Sequence, residues 1–235
     1  MIKNILFDLD GTLLPMDQDE FTKVYLKTIC TSMIQHGFEP KQLAGAIWEG
    51  FKKMVTNHSD KTNEEIFWNS FSKTYGEDII LKKPVFDEFY RTDFNSISSV
   101  CGISEKAQHT VEYLKNEGYN IIIATLPVFP KTAVENRLKW AGLSPDDFSY
   151  ITTYENSTRC KPDPEYYSEI LIKNNLSPSE CIMVGNNVDE DMIAEKVGIQ
   201  GFLMPECLIN EHNRDISVYP QGSFDELIDF LKNNR

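Results

Sequence analysis

Hydrophobic residues along this chain fall into two textures. One is the short dense run bounded by turn formers: Ile2 to Phe7, Tyr119 to Ala124 (YNIIIA), Phe148 to Thr152, Cys181 to Val184 and Gly201 to Met204. Runs of this length predict buried strands. The other texture has helical spacing. Phe21, Val24, Tyr25, Thr28 and Ile29 predict a first helix stopped near Gly37. Pro40 opens a second, carrying Leu43, Ile47, Trp48, Phe51 and Val55. Thr62 or Asn63, with Glu65 nearby, opens a third carrying Ile66, Phe67, Phe71 and Tyr75, and a fourth starts near Pro84 with Val85, Phe86, Phe89 and Tyr90. After a predicted loop over Phe94–Ser104, helices are expected at Glu105–Glu117 (ended by Gly118), Thr132–Trp140, Pro164–Asn174, Glu190–Val197 and Phe224–Leu231.

Beyond the first strand the two textures split the chain. Strands alternating with helices predict an α/β fold, a doubly wound, Rossmann-like parallel sheet. The four successive helices after strand one, ahead of the Glu105–Glu117 helix, break that alternation and predict an inserted all-helical cap domain over residues 16–94. Residues 1–15 and 95–235 then form the core domain. The cap is rich in aromatics at helical spacing, which predicts the packed centre of a helical bundle in preference to a ligand pocket.

The first strand ends in chemistry. ILFDLDGTLL, Ile5 to Leu14, puts two carboxylates one residue apart at the carboxyl end of a buried strand, where α/β sheets bind ligands. Asp8 and Asp10 could ligate a hard cation such as Mg²⁺. One could act as a nucleophile and the other as a proton carrier. Asp, Gly and Thr are also turn formers, so a capped turn is the plainer reading of the same residues.

Composition narrows the partners. A net charge of −13 over 235 residues argues against nucleic acid and anionic membranes. An anionic substrate would need a bound cation or a local basic group. Five scattered cysteines without a CxxC predict reduced thiols in the cytoplasm, neither a disulfide frame nor a zinc site. No signal peptide precedes the first strand and no apolar run approaches the ~18 residues of a spanning helix, so a soluble protein is expected, monomer or dimer.

Asp8-Leu9-Asp10-Gly11-Thr12 resembles the first motif, DxDx(T/V), of the haloacid dehalogenase superfamily. That resemblance implies three further motifs in order, and each has a counterpart. Thr125 follows the IIIA run where the family has Thr or Ser, although Leu126 stands where the family often has Asn. Lys161, in RCKPDP, matches the third-motif Lys that usually precedes Pro. Gly185-Asn186-Asn187-Val188-Asp189-Glu190-Asp191 matches the acidic loop, with Asn186 in place of its first Asp. The helical insert between the first two motifs resembles the family's C1 cap.

What the resemblance implies is a Mg²⁺-dependent phosphatase of small soluble phosphomonoesters. In it Asp8 attacks phosphorus, Asp10 serves as general acid and base, and Lys161, Thr125 and Leu126 contact the phosphate or substrate. Asp8, Asp10, Asn186 and Asp191 hold or support the metal, with Asp189 in reserve. A phosphomutase shares the cap type and both aspartates. A degenerate, non-catalytic module that binds a phosphorylated ligand is the reading that Leu126 and Asn186 favour.

Overall fold

In the computed structural model, which describes residues 1–234, the run Asn4–Phe7 forms β1 and is hydrogen-bonded along both edges. Parallel partners β2 (Asn120–Ile123) and β4 (Cys181–Gly185) flank it, and β3 (Tyr150–Ile151) and β5 (Gln200–Leu203) complete a five-stranded sheet ordered β3-β2-β1-β4-β5. A strand enclosed in this way needs apolar residues on both faces, which is why NILF reads as a run without alternation. Odd positions Ile5 and Phe7 join Ile121, Ile123, Ile182 and Val184 on one face, and Leu6, Ile122 and Met183 share the other.

The register brings the strand ends level: Phe7 lies opposite Ile123 on one side and Val184 on the other. Chain order reverses at β1, with β2 and β3 added to one side and β4 and β5 to the other. The carboxyl end of β1 therefore faces the crevice at the switch point of the sheet.

The first four of the five α-helices between β1 and β2 make up the insert: α1 (Gln18–Met33), α2 (Pro40–Val55), α3 (Asn63–Tyr75) and α4 (Lys83–Arg91). Asp17 caps α1, and Thr62 with Glu65 forms a capping box on α3. The remaining helices are α5 (Glu105–Asn116), α6 (Lys131–Trp140), α7 (Pro164–Asn174) and α8 (Phe224–Asn233). Phe21, Tyr25 and Ile29 of α1 belong to the same hydrophobic cluster as Ile5 and Phe7, so the helical insert is packed on the sheet without a break. No helix among the described residues is long and apolar enough to cross a membrane. Arg235, the last residue of the predicted core, lies outside the described residues.

Two expected elements differ. The segment expected as loop begins with 3-10 turns over Asp93–Val100. Ser96, Ser98 and Ser99 each donate to the carbonyl three residues back, while Phe94 and Ile97, also three apart, are buried, and both patterns suit a 3-10 spiral. The helix expected at Glu190–Val197 is a shorter 3-10 segment, Met192–Val197. Its intended first turn is consumed by the loop, where the Asn187 side chain accepts from the N–H groups of Asp189 and Glu190.

Candidate active site

Asp8 is the first residue past β1, and its N–H still bonds the Val184 carbonyl at 2.9 Å. The sheet thus fixes its backbone, while its side chain turns into the crevice. There Lys161, fully buried ahead of α7, reaches Asp8 Oδ1 at 2.9 Å and Asp191 Oδ1 at 2.6 Å. Burial by itself would strip the proton from Lys161. The two carboxylates overcome it and hold the ammonium well above its ordinary pKa. Asp191 is shifted upward by its own burial and by Asp8, against the pull of Lys161.

Two glycines make room for this cluster. Gly11 has φ +85°, and a Cβ there would lie 2.5 Å from Asn186 Nδ2. A Cβ on Gly185 would sit 2.1 Å from Asp191 Oδ2. That oxygen accepts the Asn187 N–H at 2.9 Å, so both oxygens of Asp191 are engaged. Asn186 donates through Nδ2 to the Cys207 carbonyl at 2.7 Å, which aims its Oδ1 back at the Thr12 hydroxyl, 3.0 Å away. The same hydroxyl is 3.4 Å from Asp8 Oδ2.

Asp10 sits beside Asp8 and forms an ion pair with Arg137 of α6. Burial raises the Asp10 pKa above the usual carboxylate value, and Arg137 opposes the rise. Among the described residues, its Oδ1 and the Arg137 Nη2 are buried without hydrogen-bond partners. The Phe129 ring covers the guanidinium, with 4.6 Å from Cζ to the ring centroid. Arg137 was not expected at the site. Its sequence signal was a charge on the apolar face of α6, four residues after Ala133 and four before Ala141, all three being wholly buried.

Thr125, two residues beyond β2, is held by its carbonyl, which accepts from Tyr166 Oη at 2.7 Å and Thr152 Oγ1 at 2.9 Å. Leu126 packs in an apolar patch with Met54, Tyr154 and Cys160, and this environment suits the departure from Asn. The structure thus brings Asp8, Asp10, Thr125, Leu126, Lys161, Asn186 and Asp191 to one end of the sheet. Asp189 is the exception. It is turned to His212 and Arg214 in the loop after β5 and cannot stand in for the Asp missing at position 186.

Among the described residues, no three His, Cys, Asp or Glu side chains converge as a protein-only metal cage. Mg²⁺ does not require one, since it is held by one or two carboxylates with waters and substrate phosphate. Asp8 Oδ2 and Asn186 Oδ1 are hard oxygens set on either side of the Thr12 hydroxyl, and they fit such a cation. Three carboxyl groups (Asp8, Asp10, Asp191) face two cations (Lys161, Arg137), so with all three ionised the site carries a negative excess before any phosphate arrives.

A cavity of about 200 Å³ extends from Asp8, Asp10 and Thr125 between α1 and α4. Its wall includes Phe21 and Tyr25, which also belong to the buried core as expected, and Trp48, Phe51 and Phe67, so some aromatics of the insert border a space as well as packing in the bundle. Others, such as Phe71, Phe89 and Phe94, are core as expected. Helical spacing records that a face is covered, and it does not distinguish protein from enclosed space. Glu190 also borders the cavity, its pKa pushed up to about 7 by burial.

A model of the haloacid dehalogenase-like hydrolase family matches residues 2–197. Pyrophosphatase PpaX of Bacillus velezensis is 25% identical over 198 residues, covering 83% of this chain and 79% of PpaX. Glyceraldehyde 3-phosphate phosphatase of Pyrococcus furiosus is 28% identical over 207 residues, covering 85% of this chain and 79% of that protein. The fold is shared with a HAD phosphatase from Thermococcus onnurineus, at 20% identity and TM-score 0.58 with 98% of both chains covered. It is shared too with the magnesium-bound HAD-hydrolase YfnB of Bacillus subtilis, at 16% identity and TM-score 0.55 over 98% of both chains.

Proposed function

This chain belongs to the haloacid dehalogenase-like hydrolase family, and from that membership we propose that it is a Mg²⁺-dependent phosphatase of small phosphomonoesters, working through an aspartyl-phosphate on Asp8. The observation that carries the reading is Lys161, a buried ammonium held between Asp8 and Asp191 beside the cavity. A preorganised, buried cation is suited to a phosphoryl group that gains and redistributes charge. The names of the relatives, one a pyrophosphatase and one a sugar-phosphate phosphatase, support phosphate hydrolysis as the reaction class.

Asp8, with Oδ1 held by Lys161 and Oδ2 3.4 Å from the Thr12 hydroxyl, attacks phosphorus through one carboxylate oxygen and leaves the other to the cation. As the bond from phosphorus to the leaving oxygen breaks, Asp10 gives that oxygen its proton. Burial keeps Asp10 protonated at a higher pH than an exposed Asp, which suits this role. Asp10 then takes a proton from water as the water oxygen attacks phosphorus, and the acyl-phosphate bond breaks to return the Asp8 carboxylate and inorganic phosphate. Lys161 stays protonated throughout and neutralises the equatorial oxygens, and the Thr125 hydroxyl donates to one of them. Asp8, the Asp10 backbone carbonyl and Asn186 would hold Mg²⁺, with Asp191 supporting the loop. When bound, the cation supplies the charge neutralisation that the acidic excess of the site calls for.

In this reading residues 16–94 are a cap on a core of residues 1–15 and 95–235, and the cavity between them admits small molecules and excludes macromolecules. The net charge of −13 supports the absence of nucleic acid among the partners, and the five free cysteines support a reducing, cytoplasmic setting.

The deciding experiment is release of inorganic phosphate from a panel of small phosphomonoesters, with Mg²⁺ or with chelator, for wild type and Asp8→Asn. Turnover that needs Mg²⁺ and disappears in Asp8→Asn is expected. Turnover that survives Asp8→Asn would remove Asp8 as nucleophile, and absence of turnover across the panel would reject the phosphatase.

A further inference from the structure

Among the described residues, the wall of the cavity contains no Lys, Arg or His. Away from the two aspartates it is mostly aromatic and aliphatic, and its ionisable groups besides tyrosine are all acids: Asp8, Asp10, Asp87 and Glu190. The cations closest to the chemistry are already committed. Lys161 lies between Asp8 and Asp191, and Arg137 lies against Asp10 beneath the Phe129 ring. Lys83, one helical turn before Asp87 on α4, is paired with Glu64.

This inventory bears on the part of the substrate that leaves. A leaving group carrying a second phosphate or a carboxylate would be buried among rings and acids with no cation to meet it. Burial of an unpaired charge is strongly unfavourable, and like charges nearby add to the cost. An apolar body would instead exchange water for ring edges and faces. The uncharged polar groups in the wall are the hydroxyls of Tyr25 and Tyr90, 2.9 Å apart, those of Thr22, Thr125 and Tyr154, the amides of Gln18 and Asn187, and the indole N–H groups of Trp48 and Trp68. These suffice to receive a neutral hydroxyl or carbonyl on an otherwise apolar molecule. By the measure on which one water needs about 10–15 Å³, about 200 Å³ holds on the order of a dozen waters. That is ample for one ring with a short substituent.

We infer that the substrate is a phosphomonoester of an uncharged, predominantly apolar alcohol or phenol of about the size of one ring, and that pyrophosphate and carboxylated phosphates are poor substrates. The inference rests on the phosphatase reading for its chemistry, but the selectivity belongs to the cavity and can be measured without turnover.

The test has a kinetic arm and a binding arm. In the first, kcat/KM is compared for benzyl phosphate, phosphoglycolate and pyrophosphate with Mg²⁺ present. Benzyl phosphate is expected to lead by on the order of 100-fold, since a site lacking the needed polar partner rejects a charged group strongly. In the second, calorimetry compares benzylphosphonate, methylphosphonate and phosphonoacetate, which share the phosphonate and differ in what enters the cavity. Benzylphosphonate is expected to bind tightest and phosphonoacetate weakest.

Trp48, 43% exposed at the cavity, is replaced in Trp48→Arg, which should fold and should narrow the benzyl-over-phosphoglycolate ratio about tenfold. Pyrophosphate or phosphoglycolate turned over as well as benzyl phosphate would overturn the inference and leave the phosphatase standing. No turnover of any ester would reject the phosphatase, and the phosphonate ranking would then decide the inference alone. Equal affinities for the three phosphonates, or a ratio unmoved by Trp48→Arg, would overturn it.

Discussion

Arg137 and Asp10 pair across 127 positions of the chain, the guanidinium wholly buried and the carboxylate 19% exposed, with one nitrogen and one oxygen left over. The guanidinium is sealed on α6 under Phe129, so the pairing is available to Asp10 and to nothing in solvent. Removing one member strands the other. Asp10→Asn and Arg137→Met are each expected to destabilise the protein by on the order of 3 kcal/mol, and the double variant to recover most of that loss. Urea unfolding of the four proteins measures the coupling, and simple additivity of the two single changes would mean the pair carries no mutual stabilisation.

Lys161→Met leaves Asp8 and Asp191 facing each other without the ammonium that separates them. Loss of one such electrostatic partner is expected to lower kcat by roughly 10²–10³-fold. The stability loss should be greater at pH 8 than at pH 5. At the lower pH Asp191, its pKa already raised by burial, takes up a proton and relieves the repulsion. A melting difference that does not vary with pH would contradict this.

Asn186→Asp restores a carboxylate next to Asp8 but deletes the Nδ2 donor that the Cys207 carbonyl accepts at 2.7 Å. Two effects of opposite sign follow. The Mg²⁺ concentration giving half-maximal phosphate release should fall, by about tenfold, because a charged oxygen replaces a neutral one. Without metal, the melting temperature should drop by a few degrees, as expected for a lost hydrogen bond and added like charge. Mg²⁺ should restore part of the drop. An unchanged metal requirement would remove Asn186 from the cation.

Glu190 gives a stability signature of its own. Its folded pKa is pushed up from 4.5 to about 7 by burial, so the folded state holds this proton more tightly than the unfolded chain does. Stability from Glu190 is therefore present in full below pH 4.5 and is lost as pH rises toward 7. Glu190→Gln lacks this titration. With chelator present, its melting temperature relative to wild type should climb through that window by a few degrees and then level off. A pH-independent offset would show that Glu190 titrates normally.

How much of this could be read beforehand differs by element. The strands were legible because β1, β2 and β4 lie inside the sheet and need apolar residues on both faces. β3, at the edge, is only Tyr150–Ile151 where five residues were expected. The two aspartates stood out at a strand end. The pairing of Asp8 with Lys161, 153 residues away, followed only from the motif order and not from any local pattern. Arg137 was visible as a charge on a buried face and passed unread. The amide orientation of Asn186 depends on a backbone carbonyl of the loop after β5, which leaves no trace in residue types. The cavity was hidden for the reason given above: an aromatic helix face looks the same over a void as over a core.

The central position of β1 has a consequence for how the chain is made. Its first edge can pair once β2 emerges, but the second waits for β4, which begins at Cys181. At about 5–20 residues per second, the ribosome leaves that edge open for on the order of ten to thirty-five seconds. An unpaired strand edge of apolar residues is open to wrong partners during that interval. Nascent chains arrested before residue 181 should therefore remain sensitive to protease at β1, and chains arrested well beyond β5 should be protected.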